Sequence, residues 1–126
     1  MSTALTKAMV LLDTNALTVP FRFRIDIQMA ILELLGAIPV KVPSAVLTEL
    51  ENLKGREPTA KAALKYAERF EVLPTPPTGD DAVLACALEN DAFVFTNDRA
   101  FIKRLKEKNV PVLLVRKRQK VVIEYP

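Results

Sequence analysis

Short apolar runs alternate with helical patterns along the whole chain, and this alternation restricts the fold to βαβ units around a mainly parallel sheet. The runs fall at about 8 to 12, 38 to 42, 71 to 73, 92 to 95 and 111 to 115, each short and uniformly apolar as a doubly covered strand requires. Ile25, Met29, Ile31, Leu32 and Leu35 make an apolar stripe that predicts a first helix over about Ile25 to Leu35, with Gly36 as its stop. Pro43-Ser44 opens a second, with Ser44 as N-cap and Gly55 as stop. An alanine-rich third helix runs from near Pro58 to near Phe70. Thr75-Pro76-Pro77-Thr78-Gly79 is incompatible with helix or central strand and delivers Asp80 and Asp81 to the start of a fourth helix. A fifth begins just after Asp98. Val121-Val122-Ile123, following Arg116-Lys117-Arg118, predicts an edge strand within 116–126, so that residues 1–126 form one α/β domain.

Two of the apolar runs end in a carboxylate. Asp13 follows Ala8-Met9-Val10-Leu11-Leu12, and Asp98 follows Ala92-Phe93-Val94-Phe95-Thr96, each at a strand-to-helix corner. Ligands of open α/β sheets bind beyond the carboxyl ends of the strands, so residues from opposite ends of the sequence can meet there. Helix capping is the commonest task of an aspartate at such a corner. Asp80 and Asp81 are equally compatible with a first helical turn, where the helix dipole favours negative charge. Glu49 falls beside the stripe Val46, Leu50 and Leu53, where an unpaired carboxylate is costly.

The chain has no histidine, which excludes Ser-His-Asp and Cys-His nucleophiles, histidine-ligated zinc and imidazole acid–base pairs. Its three glycines, Gly36, Gly55 and Gly79, are too dispersed for a dinucleotide fingerprint or a P-loop. Cys86, the one cysteine, lies in Ala85-Cys86-Ala87-Leu88 and reads as a small buried residue. Oxygen ligands are what the chain has in quantity, and a hard, oxygen-rich site suits magnesium or manganese. No apolar stretch reaches the about 18 residues of a membrane span and no signal-peptide pattern opens the chain, so the sequence reads as cytoplasmic, without a membrane partner.

Four strings in order resemble those of the PIN-domain ribonucleases: Leu12-Asp13-Thr14-Asn15-Ala16-Leu17, Val42-Pro43-Ser44-Ala45-Val46-Leu47-Thr48-Glu49-Leu50, Gly79-Asp80-Asp81-Ala82 and Phe95-Thr96-Asn97-Asp98-Arg99-Ala100-Phe101. The resemblance implies a Rossmann-like three-layer α/β/α domain and a metal-dependent endoribonuclease. It makes Asp13, Glu49, Asp81 and Asp98 the catalytic, metal-binding carboxylates, with Asp80 as the alternative to Asp81, around one or two Mg²⁺ or Mn²⁺ ions. Asn15, Thr96 and Asn97 stand beside them as residues that orient ligands, or as turn chemistry. Carboxylates drawn within about 5 Å repel by roughly 3 kcal/mol per pair at an effective dielectric of 20, and cations relieve that repulsion. The segment from Asp13 to Ile27 resembles the archaeal and eukaryotic branch tied to pre-ribosomal RNA cleavage in the small-subunit processome, whose archaeal members are called VapC-like. The competing branch is the VapC toxins, which cut tRNA or rRNA. The partners implied are RNA, a second copy of the chain, and an antitoxin or a ribosome-assembly factor. A PIN-like scaffold without catalysis would lack the full set of carboxylates, and a phosphatase with Asp13 as nucleophile would carry a second aspartate where this chain has Asn15.

Charge is polarised along the chain. Residues 99 to 126 hold nine Lys or Arg against Glu107 and Glu124, a balance of +7, whereas residues 1 to 98 hold nine against thirteen acids, a balance of −4. A polyanion is expected to lie over the acidic site on Arg116, Lys117, Arg118 and Lys120, with Arg22 and Arg24 next in rank. Solvation of the Lys103 to Lys108 helix face and protection of a sheet edge are the plainer roles for such charge. Phe21 and Phe23, interleaved with Arg22 and Arg24, suit base stacking, core packing or a protein interface.

Overall fold

Among the described residues six strands, β1 (Met9–Leu12), β2 (Val40–Pro43), β3 (Glu71–Leu73), β4 (Ala92–Phe95), β5 (Val112–Arg116) and β6 (Lys120–Glu124), pair in the order β3-β2-β1-β4-β5-β6. All pairings are parallel except β5 with β6, which form an antiparallel hairpin at the edge. The structure, a computed structural model, describes residues 7–77 and 79–126. Thr78 of the expected proline-rich loop lies outside them. The helices are α1 (Thr14–Phe23), α2 (Ile27–Leu35), α3 (Ser44–Leu53), α4 (Pro58–Ala67), α5 (Gly79–Asn90) and α6 (Arg99–Glu107). Strand order runs one way from β1 to β3 and the other way from β4 to β5. Right-handed crossovers therefore place α1 to α4 on one face and α5 and α6 on the other, giving three layers. Among the described residues no helix is long and apolar enough to cross a membrane.

The central strands explain their own composition. Every residue of β4 is buried, as are Val10, Leu11 and Leu12 of β1, because helices cover both faces. Phe93, Phe95 and Phe101 are the largest wholly buried side chains and anchor β4 and α6 in one core. Cys86 is buried in that core as a free thiol.

Three local features differ from the sequence pattern. α1 precedes the first expected helix and continues through Pro20, because burial of Ala16, Leu17 and Val19 outweighs the backbone donor that proline lacks. α2 then starts at Ile27, with Asp26 accepting from the Met29 N–H at 3.1 Å, and Gly36 ends it at φ 76°. Ser44 is not the cap of α3. Its hydroxyl instead accepts from Thr75 N at 2.8 Å, and Thr75 Oγ1 accepts from the Ala45 N–H at 2.9 Å, so α3 is capped from the loop that leads to α5. Nor does Gly55 form a left-handed stop; α3 closes at Leu53 through bonds from the Arg56 and Glu57 N–H groups to the Leu53 carbonyl.

A side-chain strut holds the carboxyl ends of three strands in register. Asn97 Nδ2 donates to Val115 O at 2.9 Å, Asn97 Oδ1 accepts from Val115 N at 2.8 Å, and Asn97 N donates to Asn15 Oδ1 at 3.0 Å. The corners after β1 and β4 and the end of β5 are thereby tied together. Asn97→Ala, which leaves both Val115 backbone groups without partners, is expected to lower stability by about 2 kcal/mol in chemical denaturation, with no change in the denaturant slope. An unchanged midpoint would show that solvent replaces the strut.

Candidate active site

Asp13 and Asp98 close the two strands between which the strand order reverses, the place where an open α/β sheet forms its crevice. Asp13 N donates to Phe95 O at 3.3 Å, extending the β1–β4 ladder by one step into the corner. Both aspartates cap helices as well. Asp13 Oδ1 accepts from Ala16 N at 2.8 Å and Asp98 Oδ1 from Phe101 N at 3.0 Å. Capping uses one carboxylate oxygen of each, so the structural role and a ligand role are compatible.

A cleft of about 460 Å³ opens at this point, and Asp13, Asn15, Arg22, Glu49, Asp80 and Asp98 all contribute to its wall. The side chain of Glu49 is exposed at its rim, not set beside the core stripe, and accepts a hydrogen bond from the Thr14 hydroxyl. Asp80 comes from the first turn of α5. Asp81, one residue on, is absent from this wall; it shares a smaller hollow with Glu49 and Asp80 and pairs with Arg104 of α6. Neighbours on a helix point about 100° apart, so the cleft receives only one of the two aspartates. Thr14, Glu57 and Arg104 join the site or its border without any signal in the sequence beyond a hydroxyl next to Asp13.

The electrostatics are those of crowded, unneutralised acid. Burial pushes the Asp13 carboxyl up to about 7, against the hydrogen bonds from Thr96 and the Ala16 N–H; Asp80 and Glu49 add to the rise. Asp80 is also raised, first by partial burial and then by the Asp98 and Glu49 carboxylates, with Arg104 opposing. Among the described residues Asp13 has no cationic partner within ion-pair distance. Nor do any three of the described carboxylates converge tightly enough to hold a cation as they stand. The carboxylates ring the cleft rather than meeting at one point, as mutual repulsion favours.

Thr96 is wholly buried beneath the cleft, where its Oγ1 accepts from Asp98 N at 3.1 Å. Asn15 lines the cleft with its Oδ1 fixed by Asn97. The expected basic cluster divides. Arg116 and Lys117 face α6, and Arg116 pairs with Glu124 at 2.9 Å. Arg118 instead lies over the Phe23 ring at 5.2 Å, with Arg22 at 5.1 Å from the same ring, while Lys120 shares a separate hollow with Arg24. Phe21 packs edge-on against Tyr66 at 6.0 Å and is about half exposed. Lys117 and Arg118 both adopt left-handed backbone, at φ 55° and 57°, to turn the β5–β6 hairpin.

A family model described as a PIN like domain matches residues 10–118. Ribonuclease VapC4 of Methanocaldococcus jannaschii is 31% identical over 117 residues, covering 85% of this chain and 89% of that protein. Ribonuclease VapC9 of Archaeoglobus fulgidus is 29% identical over 117 residues, covering 89% and 86%. The solved structure of the PIN domain endonuclease Utp24 superposes with a TM-score of 0.81 at 27% identity, over 94% of this chain and 92% of that one. With a mainly parallel sheet, a crevice at the strand reversal and a match across most of its length, the chain belongs to the PIN-like domain family.

Proposed function

We propose that this protein is an endoribonuclease that works with a divalent cation of the Mg²⁺ or Mn²⁺ kind, one ion or two, at Asp13, Glu49, Asp80 and Asp98. The observation that carries this reading is the presence of those four carboxylates around one cleft at the strand reversal. Asp13 adds weight as a buried carboxylate without a cationic partner among the described residues. The donor set is all oxygen, which fits a hard cation. Asp80 takes the place that the family resemblance assigned to Asp81, because Asp80 lines the cleft and Asp81 is engaged with Arg104.

When bound, such a cation supplies an attacking water at neutral pH and offsets charge on the phosphodiester as it is displaced. The protein's own groups prepare the site. Thr96 and the Ala16 N–H orient the Asp13 carboxylate, Thr14 orients Glu49, and the Asn15–Asn97 bond keeps the two strand corners at a constant separation. Arg22 is the cleft's own cation for a phosphate. Ribosomal RNA is the proposed substrate, in keeping with the resemblance of the Asp13 to Ile27 segment to the pre-ribosomal branch; the competing reading is a VapC-type toxin acting on tRNA or rRNA, with an antitoxin as partner. Expression in a host cell separates the two. Processing of a ribosomal precursor without growth arrest supports the first, and arrest relieved by Asp98→Asn supports the second.

Asp13→Asn, Glu49→Gln, Asp80→Asn and Asp98→Asn are each expected to slow metal-dependent RNA cleavage by a factor on the order of 100 or more, the usual effect of removing one group that stabilises the reacting charge. Asp81→Asn should cost less than about tenfold. A dead Asp81→Asn beside an active Asp80→Asn would return the ligand role to Asp81.

The raised Asp13 carboxyl also sets a pH dependence. Its ordinary value is 3.8 and its folded value about 7, so between these the folded protein binds a proton that the unfolded chain has released. Stability conferred by the protonated form is complete below about pH 4 and declines as pH rises toward 7. In chelator at pH 8, Asp13→Asn should therefore be more stable than wild type, by up to about 4 kcal/mol, and the advantage should vanish toward pH 4. Millimolar Mg²⁺ should raise the wild-type melting temperature and leave the variant nearly unmoved. A wild type indifferent to metal and no more labile at pH 8 than the variant would refute the proposed charge state.

A further inference from the structure

The cleft is poorly suited to holding RNA unaided. Five carboxylates, those above and Glu57, face the single guanidinium of Arg22, so the cleft repels a polyanion until cations are bound. Asp98 lines the cleft, and its chain neighbours Asn97 and Arg99 line a second groove. Asn97, between Thr96 and Asp98, forms part of its wall; α6 supplies the opposite side with Arg99, Ile102 and Lys103, and the β5–β6 hairpin contributes Leu114 and Lys117. At about 780 Å³ it is larger than the cleft itself.

The charge of this groove is opposite to that of the cleft. Five cations, Arg99, Lys103, Lys106, Arg116 and Lys117, face Glu107 and Glu124. Lys106 and Arg116 both bind Glu124, at 2.6 and 2.9 Å, and together hold its carboxyl below the ordinary range. Arg99, Lys103 and Lys117 make no ion pair among the described residues and are exposed. Arg99 and Lys103 are one turn apart on the same helix face. Between the cations lies an apolar floor of half-buried Ile102 and Leu114 with buried Val115. A basic rim over an apolar floor matches a single nucleic-acid strand, which offers charged phosphates on one side and base faces on the other.

We propose that the groove between α6 and the β5–β6 hairpin is an RNA-binding subsite for the single-stranded segment that flanks the scissile phosphate, with its backbone on Arg99, Lys103 and Lys117 and its bases against Ile102 and Leu114. The place beside a scissile phosphate rests on the endoribonuclease reading; the groove's affinity for a strand does not. Specific phosphate contacts here position the strand, and cleavage is left to the adjoining acidic cleft. The left-handed Lys117 projects its charge from a tight turn rather than from a floppy loop, so less freedom is lost when a strand binds.

The test uses the full chain carrying Asp13→Asn and a fluorescent 12-nucleotide oligouridine with 4-thiouridine as photocross-linker. Replacing Arg99, Lys103 and Lys117 together by alanine should weaken binding at least about tenfold at low salt and flatten the slope of log Kd against log salt by about 2, from about 0.7 for each lost contact. Lys103→Arg should bind as the parent does, and cross-links should map to the peptides around Ile102 and Leu114. Circular dichroism of the triple variant guards against a folding defect. Unchanged affinity and slope, or cross-links confined to Arg22, Arg24 and Arg118, would overturn the subsite while leaving cleavage by the wild type as evidence for the nuclease. Cross-links in the groove without metal-dependent cleavage by the wild type would uphold the subsite and refute the nuclease. Binding of polyglutamate in place of oligouridine would assign the groove to an acidic protein and overturn the proposal.

Discussion

Parallel pairing of β1 with β4 at the point where strand order reverses is the constraint on which the rest depends. It puts residues 13 and 98 side by side although most of the chain separates them, and it opens a crevice because the following helices leave to opposite faces of the sheet. Helix cover on both faces makes the two strands apolar along nearly their whole length. The polar groups at their ends are secured by local caps and by bonds that cross elements: Asp13 N to Phe95 O, Asn97 N to Asn15 Oδ1, and the Asn97 amide to both backbone groups of Val115. These bonds make the site's frame rigid, with Asp13 buried at its base and Glu49, Asp80 and Asp98 exposed around it.

Charge in this molecule is arranged against stability and in favour of binding. Burial of Asp13 without a counter-charge among the described residues is unfavourable for the isolated fold, and neighbouring carboxylates add to the cost. Such a constellation is relieved by cations or protons. Apart from Arg22, cationic charge is kept outside the cleft, on α6 and the β5–β6 hairpin. An acidic cleft beside a basic groove separates the group that acts on a phosphate from the groups that hold the strand, which is the division of labour proposed above.

The pair Asp80-Asp81 shows how one helical step assigns different work to identical side chains. Asp80 faces Glu49 and Asp98 across the cleft, and Asp81 engages Arg104 on the neighbouring helix. Thr75, in the segment that leads toward α5, is pinned to the start of α3 by hydrogen bonds exchanged with Ser44 and Ala45. Glu49 and Asp80 approach the cleft from α3 and α5, which pack against each other. The basic run after β5 divides in the same manner: Arg116 and Lys117 turn toward α6, and Arg118 turns toward Phe23.

Short apolar runs, helix stripes and strand-end aspartates were enough, from sequence alone, to determine an α/β chain with a mainly parallel sheet and acidic groups at its carboxyl edge, because burial period and corner chemistry are local properties. The strands appear within about two residues of their expected places, and Asp13 and Asp98 both cap and line the cleft. α1 was not legible as a full element, since Pro20 weakens the local signal and only tertiary burial restores the helix. Ser44 looked like a cap because its partner Thr75 is distant in sequence. Which of Asp80 and Asp81 enters the cleft, where Glu49 points, and how the basic run divides are matters of helix rotation and hairpin geometry. Those are decided by packing between elements, which the order of residues along one element does not contain.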